Sequence, residues 1–86
     1  MKLAFTKPFI RDYRALPTEL EGATDKALRL LLKNPRHPSL GIKKMQPPTR
    51  GIFEGRISKG YRFTFIKVKD VYLLRRVGTH DVLRKP

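Results

Sequence analysis

The sequence predicts an α+β fold in which an N-terminal helical hairpin packs on one face of a four- to five-stranded, mostly antiparallel, twisted sheet. Two observations indicate this fold. Apolar residues recur at helical spacing over residues 9–31, and they alternate with polar residues at strand spacing from residue 53 onward. Because the chain has only 86 residues, we expect a single domain that spans residues 1–86.

The chain opens with a predicted short strand, Leu3–Thr6, that leads into a first helix. Thr6 can cap this helix, and Pro8 suits its first turn, where the missing N–H of a proline does little harm. Phe9 and Tyr13 lie four residues apart and begin its apolar stripe.

A second helix is predicted to follow Pro17. Thr18 and Glu21 have the three-residue spacing of a capping box. Asn34-Pro35 ends the helix, because a residue before proline disfavours the helical region. The apolar stripe of this helix consists of Leu20, Ala23, Ala27, Leu30 and Leu31. Two helices joined by so short a connection form a helical hairpin. A loop over residues 34–41, a short strand at 42–45 and a second loop at 47–51 follow.

The rest of the chain has strand periodicity. Residues 53–57 roughly alternate, and Ser58–Gly60 can form a hairpin turn in which Gly60 takes a positive φ. The next strand carries Tyr61, Phe63 and Phe65 on its apolar face. After a second turn at residues 69–70, Val71, Leu73 and Val77 alternate with Tyr72, Leu74 and Arg76, which predicts a further strand. We expect residues 81–85 to add a helical turn or to stay frayed.

The composition indicates a polyanionic or acidic partner. Lys and Arg number 20 against 7 Asp and Glu, a net charge of +13, which is more than solubility alone requires. A nucleic acid or an acidic protein would relieve the self-repulsion of such a charge. No cysteine is present, which excludes disulfides, thiolate metal sites and thiol nucleophiles. No apolar run is long enough for a membrane span or signal peptide, so we expect a cytoplasmic protein.

The charges are unevenly placed along the chain. Most of the acids lie between Asp12 and Asp25, whereas basic residues are concentrated from Arg50 to the C-terminus. Arg56 and Arg62 flank the Ser58–Gly60 turn and occupy the polar register of their strands. We therefore expect them to lie near each other on the sheet face that the helices leave open.

The sequence resembles the RelE/ParE superfamily of toxins over nearly its whole length. The resemblance rests on the helical hairpin and on three segments in the family's order and spacing. These segments are Asn34–Leu40 leading to Lys43-Lys44-Met45, Gly60-Tyr61-Arg62-Phe63, and Val77-Gly78-Thr79-His80-Asp81.

The resemblance implies the toxin of a type II toxin–antitoxin pair, in the RelE- and YafQ-like mRNA interferase branch. Such a toxin binds mRNA on the open sheet face in the ribosomal decoding site and cleaves it without a metal or cofactor. The 2′-hydroxyl attacks the adjacent phosphate, and the product is a 2′,3′-cyclic phosphate. The implied partners are mRNA, the ribosome and an acidic antitoxin that covers the same face, typically in a heterotetramer.

The resemblance also implies roles for individual residues. Arg62 matches the family arginine that contacts the scissile phosphate, and His80 matches the position after the last strand that holds an Arg or a catalytic His. Lys43 and Lys44 approximate the basic residues that grip RNA. The chain departs from the family at three places. Glu54 and Arg56 stand where the family has a lysine pair, and Ile57 and Tyr61 stand where YafQ-like members have a His and an Asp. Arg84 stands where those members have an aromatic residue.

Metal-free RNA cleavage requires a base, an acid and charge stabilisation at phosphorus. His80 can serve as acid or base, since imidazole takes both forms near neutral pH. Arg62 and Arg56 suit the phosphate through bidentate hydrogen bonds. Glu54 could be the second proton-transfer group or an ion-pair partner of Arg56.

The remaining basic residues are candidates for RNA or antitoxin contacts, and the sequence does not separate the two. They are Lys43, Lys44, Lys59, Arg75, Arg76, Arg84 and Lys85. His37 is better explained as a structural loop residue than as a catalytic one. Tyr72 could stack a base, although core packing explains it better.

Two other functions fit the same sequence. A non-nuclease toxin of this fold, such as a ParE-like gyrase inhibitor, would need no role for His80. A plain RNA-binding module would show steep salt dependence and no toxicity.

Overall fold

The computed structural model describes residues 1–46 and 51–86. Its helices are α1 (Lys7–Arg14) and α2 (Thr18–Lys33), with short 3₁₀ helices at Pro38–Leu40 and His80–Leu83. Its strands are β1 (Lys2–Phe5), β2 (Lys43–Lys44), β3 (Phe53–Ser58), β4 (Tyr61–Val68) and β5 (Val71–Thr79). The predicted loop at 47–51 lies outside the described residues, apart from Gly51. No helix in the described ranges is long and apolar enough to cross a membrane.

The strands form one sheet in the order β1-β5-β4-β3-β2, in which only the β1–β5 pair is parallel. Helix α1 packs against β5, and α2 packs against β3. This arrangement confirms the predicted α+β class, with a helical hairpin on one face of a mostly antiparallel sheet. The order places β4 at the centre, between β5 and β3, and leaves the short strands β1 and β2 at the edges.

The first helix begins as the sequence predicts, and the second does not. Thr6 Oγ1 accepts a hydrogen bond from Phe9 N at 3.1 Å and donates one to Arg75 O at 2.9 Å, so one hydroxyl caps α1 and ties it to β5. Pro17, and not Thr18, is the N-cap of α2, and it makes no side-chain capping bond. The predicted capping box is therefore wrong, because Thr18 already belongs to the helix.

The core lies between the helices and one face of the sheet. Helix residue Leu31 and strand residues Phe63 and Leu74 are completely buried. Gly55 is required for this packing, since a Cβ at this position would come within 2.4 Å of the Phe63 ring. The rest of the buried cluster consists of Phe9, Ala27, Leu28, Leu40, Phe65, Tyr72 and Val77.

A β-bulge changes which residues of β5 face the core. Thr64 pairs with Arg76 and Phe65 pairs with Leu74, so Arg75 is the extra residue. The bulge lets Leu74 and Val77 share the core face although they are three residues apart. The predicted alternation is therefore wrong beyond Leu74, because Val77 shares the core face with Leu74 and not the face of Leu73. Core packing is confirmed for Tyr72, which is 5% exposed.

The second face of the sheet is not left open along its whole length. The 3₁₀ helix His80–Leu83 crosses it, and Val82 is buried against Gly78. Thr64 is completely buried on this face, and its hydroxyl donates to Pro86 O at 3.1 Å. The expectation of an uncovered face is thus wrong for its centre, because the C-terminal segment packs there. Below, "open face" means the face opposite the helices.

Candidate functional site

One row of paired positions crosses three strands of the open face. Arg56 on β3 is the cross-strand partner of Arg62 on β4, and Arg62 is the partner of Gly78 on β5. Partners in a sheet project to the same face. We call these three residues the arginine row. The prediction that the two arginines are neighbours across the hairpin is confirmed for the backbone register, and Arg56 also lines a surface cavity beside α2.

The two guanidinium groups of the arginine row have different surroundings. Arg56 is exposed, and its guanidinium lies beside Gly41, 3.6 Å from where a Cβ on that glycine would sit. Arg62 is half-buried, and its Nη1 donates to Ser58 O at 3.1 Å and to Tyr61 O at 2.9 Å. These bonds hold Arg62 against the β3–β4 turn. Within the described residues they use only Nη1, which leaves Nε and Nη2 for an anion.

His80 lies at the same end of the sheet as the arginine row. It is exposed and starts the C-terminal 3₁₀ helix, two residues after Gly78. Thr79 caps this helix by accepting a hydrogen bond from Asp81 N at 3.4 Å. Val82 anchors it, because its side chain is buried over Gly78. A buried side chain and a cap therefore fix the backbone that presents the imidazole.

Glu54 occupies the next row of the open face. Its cross-strand partners are Thr64 and Lys43, and its carboxylate lies 4.0 Å from Lys43 Nζ. The Glu54 side chain is only 13% exposed. Among the described residues its ion-pair partner is Lys43, so the alternative of a pair with Arg56 is wrong.

The predicted RNA contacts Arg75 and Arg76 are engaged within the fold. Arg76 binds Asp12 of α1 with two hydrogen bonds, Nε to Oδ2 at 2.6 Å and Nη2 to Oδ1 at 3.2 Å. The bond to Asp12 raises the pKa of Arg76 above its ordinary value, partly offset by burial. Asp12 Oδ2 also accepts from Val77 N at 3.2 Å, at the edge of β5. Arg75 Nε donates to Pro86 O at 3.1 Å. These two arginines hold α1 and the C-terminal segment on the sheet.

The other predicted RNA contacts are exposed but scattered. Lys59 lies in the turn beside the arginine row, and Lys43 and Lys44 form the edge strand β2. Arg84 and Lys85 follow the C-terminal 3₁₀ helix. Of these residues, Lys59 is the one that adjoins the arginine row in sequence.

His37 lies away from the arginine row, in the loop after α2. Its Nδ1 accepts from Ser39 N at 3.1 Å and lies 2.8 Å from Ser39 Oγ. The ring thereby caps the first 3₁₀ helix, which agrees with the structural role that the sequence indicates.

Two features of the open face have weak signals in the sequence. The Asp12–Arg76 pair joins residues 64 positions apart, a separation that no local pattern reveals. The C-terminal cover has a sequence signal in the apolar pair Val82-Leu83 within a polar segment, and in Thr64 between two buried phenylalanines. Nowhere in residues 1–46 and 51–86 do three His, Asp or Glu side chains form a group that could hold a metal ion.

The structure matches solved toxins of the RelE/ParE superfamily in fold. YafQ from E. coli strain BL21(DE3) superposes with a TM-score of 0.80 at 14% identity, over 94% of both chains. The RelB–RelE antitoxin–toxin complex from Methanococcus jannaschii gives 0.74 at 18% identity, over 95% of both chains. The YoeB dimer from Staphylococcus aureus gives 0.76 at 13% identity, over 93% of this chain and 97% of that one. No family model and no curated protein sequence matches the chain. At these identities the fold is shared, as the sequence resemblance predicts.

Proposed function

We propose that this protein is the toxin of a toxin–antitoxin pair and that it cleaves mRNA at the end of the open face where the arginine row and His80 lie. The observation that carries the proposal is the register of β3, β4 and β5, which puts Arg56 and Arg62 in one row and starts the His80 helix beside it. The fold shared with YafQ and RelE supports the proposal.

The chemistry is a transesterification that needs no redox step. A base removes the proton of the 2′-hydroxyl, O2′ forms a bond to phosphorus, and the bond from phosphorus to O5′ breaks. An acid then protonates O5′, which leaves a 2′,3′-cyclic phosphate. His80 is exposed and can deliver the proton to the leaving oxygen. Arg62 Nε and Nη2, with Arg56, stabilise the negative charge that develops on the phosphate.

The second proton-transfer group is assigned to Glu54 as a hypothesis. Glu54 lies on the same face as Arg56, two residues along β3. Its low exposure and its pair with Lys43 equally suit a structural role. Glu54→Gln separates the two, since loss of a base slows cleavage and loss of the ion pair lowers stability.

The partners are an acidic antitoxin and ribosome-bound mRNA. A net charge of +13 favours both, and similar toxins have been solved bound to antitoxins, as in the DinJ–YafQ and RelB–RelE complexes. We expect a heterotetramer with the antitoxin, which light scattering of the co-expressed pair would measure.

The test is induction of the protein in bacteria, with mapping of mRNA 5′ ends, followed by cleavage assays with purified ribosomes. We expect new 5′ ends and growth arrest. His80→Ala should slow cleavage by about 10²–10⁴-fold, and Arg62→Ala by about 10²–10³-fold. Arg29→Ala removes an exposed arginine of α2, on the opposite side of the sheet, and should cleave normally.

Other outcomes would overturn the nuclease. Growth arrest with intact mRNA, retained by His80→Ala, would identify a non-nuclease toxin such as a gyrase inhibitor. Steeply salt-dependent RNA binding without toxicity would identify a plain RNA-binding module.

A further inference from the structure

A cavity of about 480 Å³ lies on the helix side of the sheet, between the loop that follows α2 and the strands β4 and β5. Its apolar floor includes Leu31, Ile42 and Phe65. The arginine row is on the other face, at the opposite end of β4. The cavity is thus distinct from the proposed cleavage site around Arg62 and His80, and it adjoins that site only where the Arg56 guanidinium lies beside Gly41.

Tyr72 places a hydroxyl in this cavity. The residue is 5% exposed, and its ring packs edge-on against Phe65 with centroids 5.4 Å apart. Its hydroxyl makes no hydrogen bond with any of the described residues. The hydroxyl oxygen is nevertheless accessible to solvent. Because Tyr72 lines the cavity, we infer that the hydroxyl opens into it. A polar group at the end of a buried ring is suited to bind a ligand.

His37 supplies a second donor. Its Nδ1 accepts from the backbone N–H of Ser39, so the neutral ring carries its proton on Nε2. The imidazole also lines the cavity, and the loop that holds it is fixed by the 3₁₀ helix that it caps. The ring is therefore held in one tautomer, with an N–H donor available to a ligand.

Two cations stand at the mouth of the cavity. Arg36 and Lys67 both line it and both are exposed. Lys67 Nζ lies 4.9 Å from the centroid of the Phe53 ring, a cation–π contact that holds the ammonium group at the rim. None of the described residues that line the cavity carries a carboxylate. The walls thus combine positive charge and neutral donors with an apolar floor.

We propose that this cavity binds a small organic anion that joins a phosphate to a flat ring, of the nucleoside monophosphate class. Arg36, Lys67, His37 and Tyr72 would hold the phosphate, because every one of them donates and the two cations neutralise its charge. The apolar floor would take the ring. A cavity of this volume fits a small molecule. The proposal is independent of the nuclease, since it concerns binding on the other side of the sheet.

The test is titration calorimetry with adenosine 5′-monophosphate, inorganic phosphate and adenosine, at about 150 mM salt to suppress unspecific attraction. We expect the nucleotide to bind at least tenfold more tightly than either half alone. Tyr72→Phe keeps the buried ring and should weaken nucleotide binding about fivefold. Lys67→Gln should weaken it about tenfold.

Lys7→Gln is the matched control, because it removes the same charge from the exposed face of α1, away from the cavity. It should bind like the unchanged protein, and melting temperatures confirm that each variant is folded. No nucleotide binding at millimolar concentration would overturn the proposal. So would equal binding of inorganic phosphate, equal weakening by Lys7→Gln, or unchanged binding by folded Tyr72→Phe. If mRNA is cleaved normally but the titration shows no nucleotide binding, the nucleotide site is refuted and the proposed nuclease is not affected.

Discussion

The two faces of the sheet use neighbouring residues for opposite purposes. Toward the helices, β4 presents Phe63 and Phe65, both almost completely buried. Toward the open face it presents Arg62 and Thr64, of which Thr64 is sealed by the C-terminal segment. The helix face is apolar where the helices cover it, whereas the open face is divided into a covered part and an end with exposed charge. Stability therefore depends on the first face, and the proposed activity on one end of the second.

The open face also shows that charge alone does not identify a binding residue. Arg76 and Arg62 lie on adjacent strands. Asp12 binds Arg76 with two hydrogen bonds, whereas Arg62, among the described residues, donates only to backbone carbonyls. Carbonyl contacts leave the positive charge of Arg62 unneutralised. An anion gains more from Arg62 than from Arg76, because a carboxylate already compensates Arg76.

The largest expected effect is on the helix face. Phe63→Ala should lower the free energy of unfolding by about 4 kcal/mol, because it removes a fully buried ring from the core. Its neighbour Arg62→Ala should cost only about 1 kcal/mol, from two hydrogen bonds to carbonyls. Chemical denaturation followed by circular dichroism would measure both. Equal losses would refute the division between the faces.

A smaller loss is expected where the two faces are joined. Asp12→Ala should cost about 2–3 kcal/mol, since it leaves the Arg76 guanidinium and the Val77 N–H without their carboxylate. Asp70→Ala removes the same charge from an exposed turn and should cost under about 0.5 kcal/mol. A similar cost for both variants would mean that lost negative charge, and not the Asp12 contacts, destabilises the protein.

The sequence predicted the helix face better than the open face, for a physical reason. Helical and strand periodicities report local burial, and they located α1, α2, β3 and β4 to within a residue or two. The bulge at Arg75 reverses the alternation between Leu73 and Val77 without any local signal such as glycine or proline. The alternation of β5 therefore could not be extended across the bulge from the sequence alone.

The candidate site was predictable where it depends on register alone. Two arginines flanking the Ser58–Gly60 turn must meet across the hairpin, and they do. The hydrogen-bond and ion-pair partners of Arg75, Arg76 and Glu54 could not be predicted, because each contact depends on how separate segments of the chain pack. Of these, the Pro86 carbonyl and the Asp12 carboxylate come from the two ends of the chain.

The contact between Gly78 and Val82 tests whether the C-terminal cover positions His80. A Cβ at residue 78 would lie 2.9 Å from Val82 Cγ1, so Gly78→Ala should displace the 3₁₀ helix and cost about 1–2 kcal/mol. Adding Val82→Ala makes room for the new methyl group and should restore the position of the 3₁₀ helix. It should not restore the stability that burial of the Val82 side chain provides. Cleavage by the double variant should exceed that of Gly78→Ala. If Val82→Ala brings no recovery, the contact does not position His80.

The smallest effect concerns the helical hairpin and depends on pH. Tyr13 of α1 donates to Asp25 Oδ1 of α2 at 2.7 Å, and this bond to a carboxylate, followed by burial, raises the pKa of Tyr13 above its ordinary value of 10.0. A raised folded-state pKa means that the stabilisation is complete below pH 10 and is lost as the pH rises through the folded-state value. Tyr13→Phe should therefore cost about 0.5–1 kcal/mol near neutral pH. The difference in unfolding free energy between the two proteins should shrink above pH 10. A difference that stays constant from pH 7 to beyond the titration of tyrosine would show that the bond to Asp25 does not stabilise the hairpin.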